Sequence, residues 1–351
     1  MQESKLLKSG LLALVLVLSF IVGWELFWRN RGFQATFNDD KALWANSRKE
    51  AYRPQANATV FIGSSRIKFD LDIPTWEATT GEKAVQLSVV GTSPLTLLEE
   101  LANDENFNGK VVTDITEVLF FPNNPVFHQS AKEAIDFYKN QTPSEKLSSQ
   151  VNYALESKLA FLEERRFSLN ALLNEVPLQN RPGVFAMPVF PKGFEWTTYD
   201  RQTFMSDMFL SDTNDINKQT GIWSMLLMGD PTPPPTGADL TQIFERVKTS
   251  VDKINNRGGK VIFIRTPSSG PLAEAEEKKY PRNAYWDKLL AHVKTEGIHY
   301  RDYASTKNLE CPEWSHLAIK DAVIYTHELI SILREKNWFA AKELALTTTT
   351  N

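Results

Sequence analysis

Cysteine is nearly absent from this chain of 351 residues, which contains only Cys311. One cysteine cannot form an intrachain disulfide, so the sequence excludes a disulfide-rich secreted scaffold. It also excludes zinc and iron–sulfur sites built from several cysteines. The protein can still reside outside the cytoplasm, because a chain of this length can bury a substantial core without disulfides.

A dense block of lysine and arginine is also lacking. Lys and Arg total 39 against 43 Asp and Glu, which gives a formal net charge of −4. Nucleic-acid binding needs a basic surface that contacts phosphates, so we do not expect nucleic acid among the partners. Charged residues make up 23% of the chain and apolar residues 42%. These values are typical of a globular protein rather than a disordered one.

One long apolar run lies near the N-terminus. Residues 10–27 (GLLALVLVLSFIVGWELF) contain a single charged residue, Glu25, and are long enough to span a bilayer. Tryptophans at the outer end suit the membrane interface, and no small-x-small cleavage site follows. We therefore predict a signal anchor at residues 10–28 after a cytoplasmic segment, residues 1–9, with a cleaved signal peptide as the alternative. A large domain behind one N-terminal span favours a single-pass membrane protein whose main domain lies outside the cytoplasm, on the periplasmic or extracellular side.

Strand and helix patterns alternate beyond the anchor. Residues 29–57 are predicted to be a juxtamembrane linker with a short helix, residues 58–338 the main domain, and residues 339–351 a disordered tail. An irregular insertion occupies about 176–236. The alternation predicts a mostly parallel sheet with helices on both faces and functional sites beyond the carboxyl ends of its strands. The strand candidates are Thr59–Ile62, Ala84–Val90, one or two pieces of Val111–Phe121, Lys260–Thr266 and Ile298–Tyr303.

Two short motifs at predicted strand ends carry candidate chemistry. The tripeptide Gly-Ser-Ser at 63–65 follows the first strand, where a serine can act as a nucleophile beside backbone amides. Glu313 and His316 precede the last helix, and their spacing lets the carboxylate orient the imidazole. Together the motifs predict a triad of Ser65, His316 and Glu313. The alternative is structural, since such a turn is usually only a turn and Glu or His can cap a helix.

These motifs resemble those of the SGNH/GDSL hydrolase superfamily over roughly residues 58–335. The shared features are the G-x-S turn after the first strand, Gly91 after the second strand, and the acid-x-x-His pair near the C-terminus. The resemblance implies a flavodoxin-like, three-layer α/β/α fold with a five-stranded sheet. It also implies that Ser65 is the nucleophile, His316 the general base and Glu313 the triad acid. The amides of Ser65 and Gly91 would then belong to the oxyanion hole.

Two positions and one sequence block depart from the superfamily pattern. Ser64 stands where the family has an aspartate before the nucleophile, and Glu313 replaces the triad aspartate with a side chain one methylene longer. The third block of the family, Gly-x-Asn-Asp, has no clean match. Asn123 is the best candidate for the third oxyanion donor, and Asn124 or a residue nearer Thr116 is the alternative.

The N-terminal span also resembles the membrane-anchored branch of this superfamily. That resemblance implies acyl transfer to cell-envelope glycans beside a membrane-bound O-acyltransferase, with no metal or organic cofactor. The expected function is thus an esterase or O-acyltransferase that acts on acyl esters of envelope glycans. One alternative is a catalytically inactive module that binds or scaffolds a polysaccharide-modifying assembly through the 176–236 insertion. Another is a small-ester lipase.

Polar residues near the strand ends are candidates for substrate binding. Arg265 ends the fourth strand, and its guanidinium could bind a substrate carboxylate or phosphate through two hydrogen bonds. A buried ion pair with a nearby carboxylate is the alternative that we favour for Arg265, with Glu274, Glu276 and Asp287 as candidate partners. The candidate substrate-binding residues are Arg66, Arg265, Ser268 and Arg282.

The insertion is rich in aromatic residues. Their rings could stack on sugar faces, or they could cover an edge of the core. These residues are Trp196, Tyr199, Phe204, Phe209 and Trp223.

Overall fold

The protein is described by a computed structural model that covers residues 2–122, 124–174, 188–229 and 231–339. The chain divides into two compact units, and each combines two segments of the sequence. The smaller unit comprises residues 1–38 and 143–189, and the larger unit comprises residues 39–142 and 190–351. Residues 340–351, which make up almost all of the predicted disordered tail, lie outside the described residues.

The described residues form sixteen α-helices and seven β-strands. The strands are β1 (Ala58–Ile62), β2 (Lys83–Gln86), β3 (Lys110–Asp114), β4 (Trp196–Thr197), β5 (Thr203–Phe204), β6 (Lys260–Arg265) and β7 (Gly297–His299). The helices are α1 (Gln2–Arg29), α2 (Lys41–Glu50), α3 (Ser65–Asp70), α4 (Ile73–Thr80), α5 (Leu95–Asn103), α6 (Glu117–Phe120), α7 (Val126–Asn140), α8 (Pro143–Glu156), α9 (Glu164–Phe167), α10 (Leu169–Asn174), α11 (Asp207–Leu210), α12 (Thr213–Trp223), α13 (Gly237–Asn256), α14 (Gly270–Lys279), α15 (Trp286–Val293) and α16 (Ile319–Glu335).

The smaller unit contains the apolar N-terminal helix α1. Its segment Lys5–Arg29 is 25 residues long with a mean hydropathy of 2.3, and among the described helices only this one could cross a membrane by length and composition. The Glu25 carboxylate accepts hydrogen bonds at 2.9 Å from the Ala160 amide, and Arg29 Nη2 donates to the Lys158 carbonyl at 2.8 Å. These contacts anchor one end of α1 to the turn after α8. The prediction of a helix able to span a membrane is confirmed, whereas the side on which the larger unit lies stays a prediction.

The larger unit is built on a five-stranded, fully parallel sheet. Its strand order is β2-β1-β3-β6-β7, with β1 paired to both β2 and β3. This is the doubly wound order in which the chain starts near the centre and crosses over once. Strands β4 and β5 form a separate antiparallel pair. The prediction of a five-stranded parallel sheet is confirmed.

Helices cover both faces of this sheet. Successive residues of β1 point to opposite faces, so that Val60 and Ile62 join one core cluster and Phe61 joins another. The first cluster packs against helices α5, α7, α13 and α15, and the second against α3, α4 and α16. All five residues of β1 and of β3 are buried, as expected for central strands covered on both sides. The result is the three-layer α/β/α arrangement.

The predicted juxtamembrane linker, residues 29–57, contains an integral part of the larger unit. Its helix α2 places Leu43 and Trp44 in the interior, with 0% and 1% of their surface exposed. The Trp44 indole N–H donates to the Leu87 carbonyl at 2.8 Å, beside the end of β2. A short helix with few apolar residues looks like a linker in sequence, and only its docking shows that it belongs to the core.

Element boundaries also differ from the expectations in three strands. The second strand, β2, covers Lys83–Gln86 and ends before the predicted Val90. The third strand stops at Asp114, and the apolar residues that follow form the short helix α6 rather than a continued strand. The fifth predicted strand is β7, which covers only Gly297–His299, and a 3-10 turn begins after it at Tyr300. Within the predicted irregular insertion, the described residues contain β4, β5, α11 and α12. Residues 175–187 and Asp230 lie outside the described residues.

Candidate active site

Ser65 occupies a tight turn between β1 and α3. A Cβ atom at Gly63 would lie 2.6 Å from Ile67 Cγ2 and 2.9 Å from Asp114 Cβ, so only glycine fits there. Ser64 is buried, and its hydroxyl forms a 2.9 Å hydrogen bond with Thr116 Oγ1. Ser65 is half-buried and begins the helix. The turn therefore directs the first serine into the protein and leaves the second serine accessible.

Three residues from opposite ends of the chain meet in a hydrogen-bonded line. His316 Nε2 lies 2.9 Å from Ser65 Oγ, across 251 residues of sequence. On the other side of the ring, His316 Nδ1 lies 3.0 Å from Glu313 Oε1. A carboxylate can only accept a hydrogen bond, so Nδ1 carries the proton and Nε2 is left to accept from the serine hydroxyl. The structure thus brings together the three residues predicted to form a triad.

The Glu313 carboxylate is fully buried, and both of its oxygens are hydrogen-bonded. Oε1 also accepts from the backbone amides of His316 at 2.5 Å and Ser315 at 3.2 Å. Oε2 accepts from the indole N–H of Trp223. The turn that supports these contacts includes Trp314 at a φ of +80°, a left-handed conformation that is strained for a bulky residue. This turn places the carboxylate and the imidazole on the same side of the backbone before α16 begins.

Aromatic rings enclose the imidazole of His316, which is 1% exposed. Its ring centroid lies 4.3 Å from that of Phe69, 5.7 Å from Trp223 and 5.8 Å from Phe194. Such packing on several sides restricts rotation of the ring. The ring is therefore fixed both by its hydrogen bonds and by its neighbours.

Gly91 follows a segment that is hydrogen-bonded to the chain around Gly63. The Leu87 amide donates to the Phe61 carbonyl at 2.8 Å and the Val89 amide to the Gly63 carbonyl at 3.3 Å, so the chain after β2 continues alongside the nucleophile turn. Gly91 has a φ of +68°, a region that glycine adopts without steric cost. The role of its amide as an oxyanion donor stays a prediction.

The third predicted oxyanion donor, Asn123, lies outside the described residues. Of its alternatives, Asn124 accepts a hydrogen bond from the Val126 amide at 3.1 Å, which caps the start of α7. The Thr116 hydroxyl is engaged with Ser64. Asn124 and Thr116 thus use side-chain oxygens for local structure, and a donor from a residue nearer Thr116 stays a prediction.

Three of the four predicted substrate-binding residues are buried in a charge network. Arg66 and Arg265 both bind the Glu276 carboxylate, Arg265 Nη2 at 2.6 Å, and Ser268 Oγ donates to the same group at 2.9 Å. Arg265 Nε also lies 2.9 Å from Glu117 Oε1. The exposed fractions of Arg66, Arg265 and Ser268 are 1%, 3% and 5%. Substrate binding by these three residues therefore does not fit the structure, whereas the favoured ion pair of Arg265 with Glu276 is present.

Two arginine side chains determine the direction in which the pKa of Glu276 is shifted. Burial raises the pKa of the Glu276 carboxyl, but the neighbouring Arg66 and Arg265 guanidinium groups outweigh burial and hold that pKa below its usual range. Arg282, the fourth candidate, is separate and partly exposed, and it pairs with Asp302 at 2.5 Å. Of the other candidate partners of Arg265, Asp287 pairs with Arg282 instead. Among the described residues, the carboxylates paired with Arg265 are those of Glu117 and Glu276, not Glu274.

Two buried aspartates behind the site were not anticipated from the sequence. Asp70 Oδ1 accepts from the Leu317 amide at 2.9 Å and so holds the residue that follows His316. Burial raises the pKa of Asp70 well above its ordinary value and raises the pKa of Asp114 to about 6. The position of Asp114 at the end of β3 was the available sign, because strand ends carry functional groups in such sheets.

Trp223 is the other residue whose role the sequence did not reveal. Of the two expectations, stacking on sugars or covering the core, the second is met, since Trp223 is buried in an apolar cluster with Phe194 and Phe209. It also donates a hydrogen bond to Glu313, which was not expected. No sequence pattern relates a tryptophan in an irregular insertion to a motif 90 residues away.

The assembled geometry can activate a serine hydroxyl as a nucleophile, with an imidazole as base and a carboxylate behind it. In the part of the chain that the structure describes, no group of three His, Cys, Asp or Glu side chains is placed to hold a metal ion. No protein-family model and no curated protein matches this chain. The functional interpretation therefore rests on the site itself.

Proposed function

We propose that this protein is a membrane-tethered serine esterase or O-acyltransferase of the SGNH type. The observation that carries the proposal is the continuous line from Ser65 Oγ through the His316 ring to Glu313, with separations of 2.9 and 3.0 Å. These distances lie within the range required for a nucleophile, its general base and the group that orients the base.

The reaction follows from the positions of these groups. His316 Nε2 takes the Ser65 proton while Ser65 Oγ bonds to the acyl carbon of an ester, and the carbonyl oxygen becomes an oxyanion. The amides of Ser65 and Gly91, with Asn123 as the third proposed donor, bind that oxyanion. When the ester C–O bond breaks, His316 returns the proton to the leaving alcohol. Water or a glycan hydroxyl then attacks the acyl-serine by the same steps.

A glutamate can serve as the triad acid here because its longer side chain is restrained. The carboxylate needs only to accept from His316 Nδ1 and to stabilise the imidazolium formed during attack. Buried donors to both Glu313 oxygens hold the carboxylate in one orientation. The exchange of aspartate for glutamate is therefore compatible with catalysis.

The proposed substrate is an acyl ester of a cell-envelope glycan. Helix α1 would tether the larger unit outside the cytoplasm, close to acyl groups delivered through the membrane by an O-acyltransferase partner. This part of the proposal rests on the apolar helix and on the resemblance to membrane-anchored members of the superfamily.

Labelling with a fluorophosphonate probe tests the proposal. We expect covalent labelling of the full-length protein in membranes, its loss in Ser65→Ala, and a rate at least about 1,000-fold lower in His316→Ala because the base is missing. Ser305→Ala removes an exposed serine of the larger unit and should label as the wild type does. Thermal melting of each variant shows that it is folded.

The outcomes separate the alternatives. Absence of Ser65-dependent labelling in a folded, membrane-inserted sample would contradict the enzyme proposal and favour a catalytically inactive module that binds or scaffolds an envelope assembly. Rapid hydrolysis of short acyl esters without any partner would favour a small-ester lipase. Transfer to an added glycan in preference to water would favour the O-acyltransferase.

A further inference from the structure

We infer that Trp223 is a positioning residue for the triad, whose indole N–H holds Glu313 in the orientation that His316 requires. This inference rests on the proposed function, because it concerns the efficiency of the same nucleophile. It assigns a part in catalysis to the insertion, which the sequence suggested as a sugar-binding, core-covering or scaffolding segment.

The hydrogen bonds of Glu313 divide unequally between its two oxygens. Oε1 has three donors, namely two backbone amides and His316 Nδ1. Oε2 has the Trp223 indole, and the described residues supply no other donor to it. Because Glu313 is 0% exposed, loss of the indole would leave a buried carboxylate oxygen without a partner. Such a loss costs more than the loss of an exposed hydrogen bond, since water cannot replace the donor.

The length of the glutamate side chain explains why this donor matters. Glutamate has one more rotatable bond than aspartate, so donors on one oxygen alone leave the carboxylate plane free to turn. A second donor on Oε2 fixes that plane and directs the lone pair of Oε1 at the imidazole. Trp223 thereby offsets the added freedom of the extra methylene.

The indole itself is held by the insertion. Trp223 is the last residue of α12 and is followed directly by a π-helical turn, Ser224–Met228, a feature that is frequent at functional sites. Its ring packs at 5.8 Å from Phe190 and at 6.1 Å from Phe194, and only 8% of its surface is exposed. The packing of residues 190–229 therefore sets the position of a group that contacts the triad.

Trp223→Phe in the full-length, membrane-inserted protein removes the donor and keeps an aromatic ring. We expect the rate of fluorophosphonate labelling to fall about 10- to 100-fold, as for loss of a hydrogen bond to a buried charge. With a chromogenic ester, kcat should fall by a similar factor while KM changes less than about 2-fold, since the indole acts through Glu313. The matched control is Trp338→Phe, which removes a buried indole donor to Thr59 Oγ1 at 3.3 Å and should leave the labelling rate unchanged.

A double-mutant cycle with Glu313→Gln separates positioning from general structure. If Trp223 acts through Glu313, Trp223→Phe should lower the rate less than about 3-fold in the Glu313→Gln background. Equal losses in both backgrounds overturn the inference. A wild-type labelling rate in Trp223→Phe, with Ser65→Ala silent, overturns the inference alone. An unlabelled wild type overturns the proposed function, and this inference with it.

A spectroscopic measurement applies if Trp223→Phe does not fold. The chain has nine tryptophans, so the wild type should give nine indole N–H signals by NMR. We expect one of them to lie well downfield of the rest because it donates to a carboxylate, and to move upfield in Glu313→Gln. A spectrum in which no indole signal responds to Glu313→Gln contradicts the contact.

Discussion

Replacement of Arg265 by methionine should destabilise the larger unit strongly. Arg265 is 3% exposed and binds two buried carboxylates, those of Glu117 and Glu276. Methionine fills similar space but leaves Glu117 without its cation, whereas Glu276 retains Arg66. Removal of one partner from a buried ion pair costs about 3–5 kcal/mol, which is on the order of 100- to 4,000-fold in the folding equilibrium. This is a large part of the stability of a typical domain.

Thermal unfolding followed by circular dichroism measures this effect. For domains of 150–250 residues, 1 kcal/mol shifts Tm by about 2–4 °C, so Arg265→Met should lower Tm by roughly 6–20 °C. Arg282→Met is the matched control, because Arg282 pairs with Asp302 and Asp287 near the surface. Exposed pairs contribute about 0–1 kcal/mol, so this variant should lose no more than about 4 °C.

Arg265 and Arg282 were both predicted to bind substrate. The same experiment distinguishes substrate binding by Arg265 from a role in the buried charge network. If Arg265→Met melts like the wild type while KM for an ester rises, the buried-network assignment is refuted and substrate contact is supported. A stability loss in Arg265→Met that shrinks when Glu117 is also replaced by glutamine would support the network, because the uncompensated charge is then removed.

Two further predictions concern pH and the membrane. Burial raises the pKa of Asp114 from 3.8 to about 6, so the folded state holds this proton more tightly and its stabilising contribution is lost as pH rises through that interval. The wild type should therefore lose up to roughly 3 kcal/mol relative to Asp114→Asn between pH 4 and pH 7 in urea unfolding, and parallel curves would contradict this. Leu14→Arg combined with Leu18→Arg should cost about 5–7 kcal/mol of insertion and release the protein on carbonate extraction, whereas Lys8→Arg should remain in the membrane fraction. Retention of the double variant would show that α1 does not span the bilayer.

The sheet could be predicted because its determinants are local. Runs such as Lys260–Arg265 are apolar and β-branched, and alternation with amphipathic helices leaves a parallel sheet as the natural arrangement. A short helix was expected in residues 29–57, but its place in the core was not, because few of the ten positions of α2 are apolar. Its membership of the core depends on the space that the sheet leaves for Trp44.

The candidate site was predictable in part for a related reason. Strand order brings carboxyl ends of strands together, so a serine after β1 and a histidine before the last helix were expected to converge. The buried arginines were harder to assign, since a guanidinium that binds substrate and one that pairs with Glu276 look the same in sequence. Only the position of α14, which carries Glu276, shows that this carboxylate lies close to the arginines.

The sequence by itself determined the parallel sheet, the apolar N-terminal helix and the presence of a Gly-Ser-Ser turn together with an acid-x-x-His motif. These depend on periodicity, turn chemistry and short spacing, which are properties of neighbouring residues. Only the tertiary structure decided that His316 reaches Ser65, that Trp223 binds Glu313, and that the arginines are buried. Those contacts join side chains that are far apart in the chain, and their distances follow from how whole elements pack rather than from any local pattern.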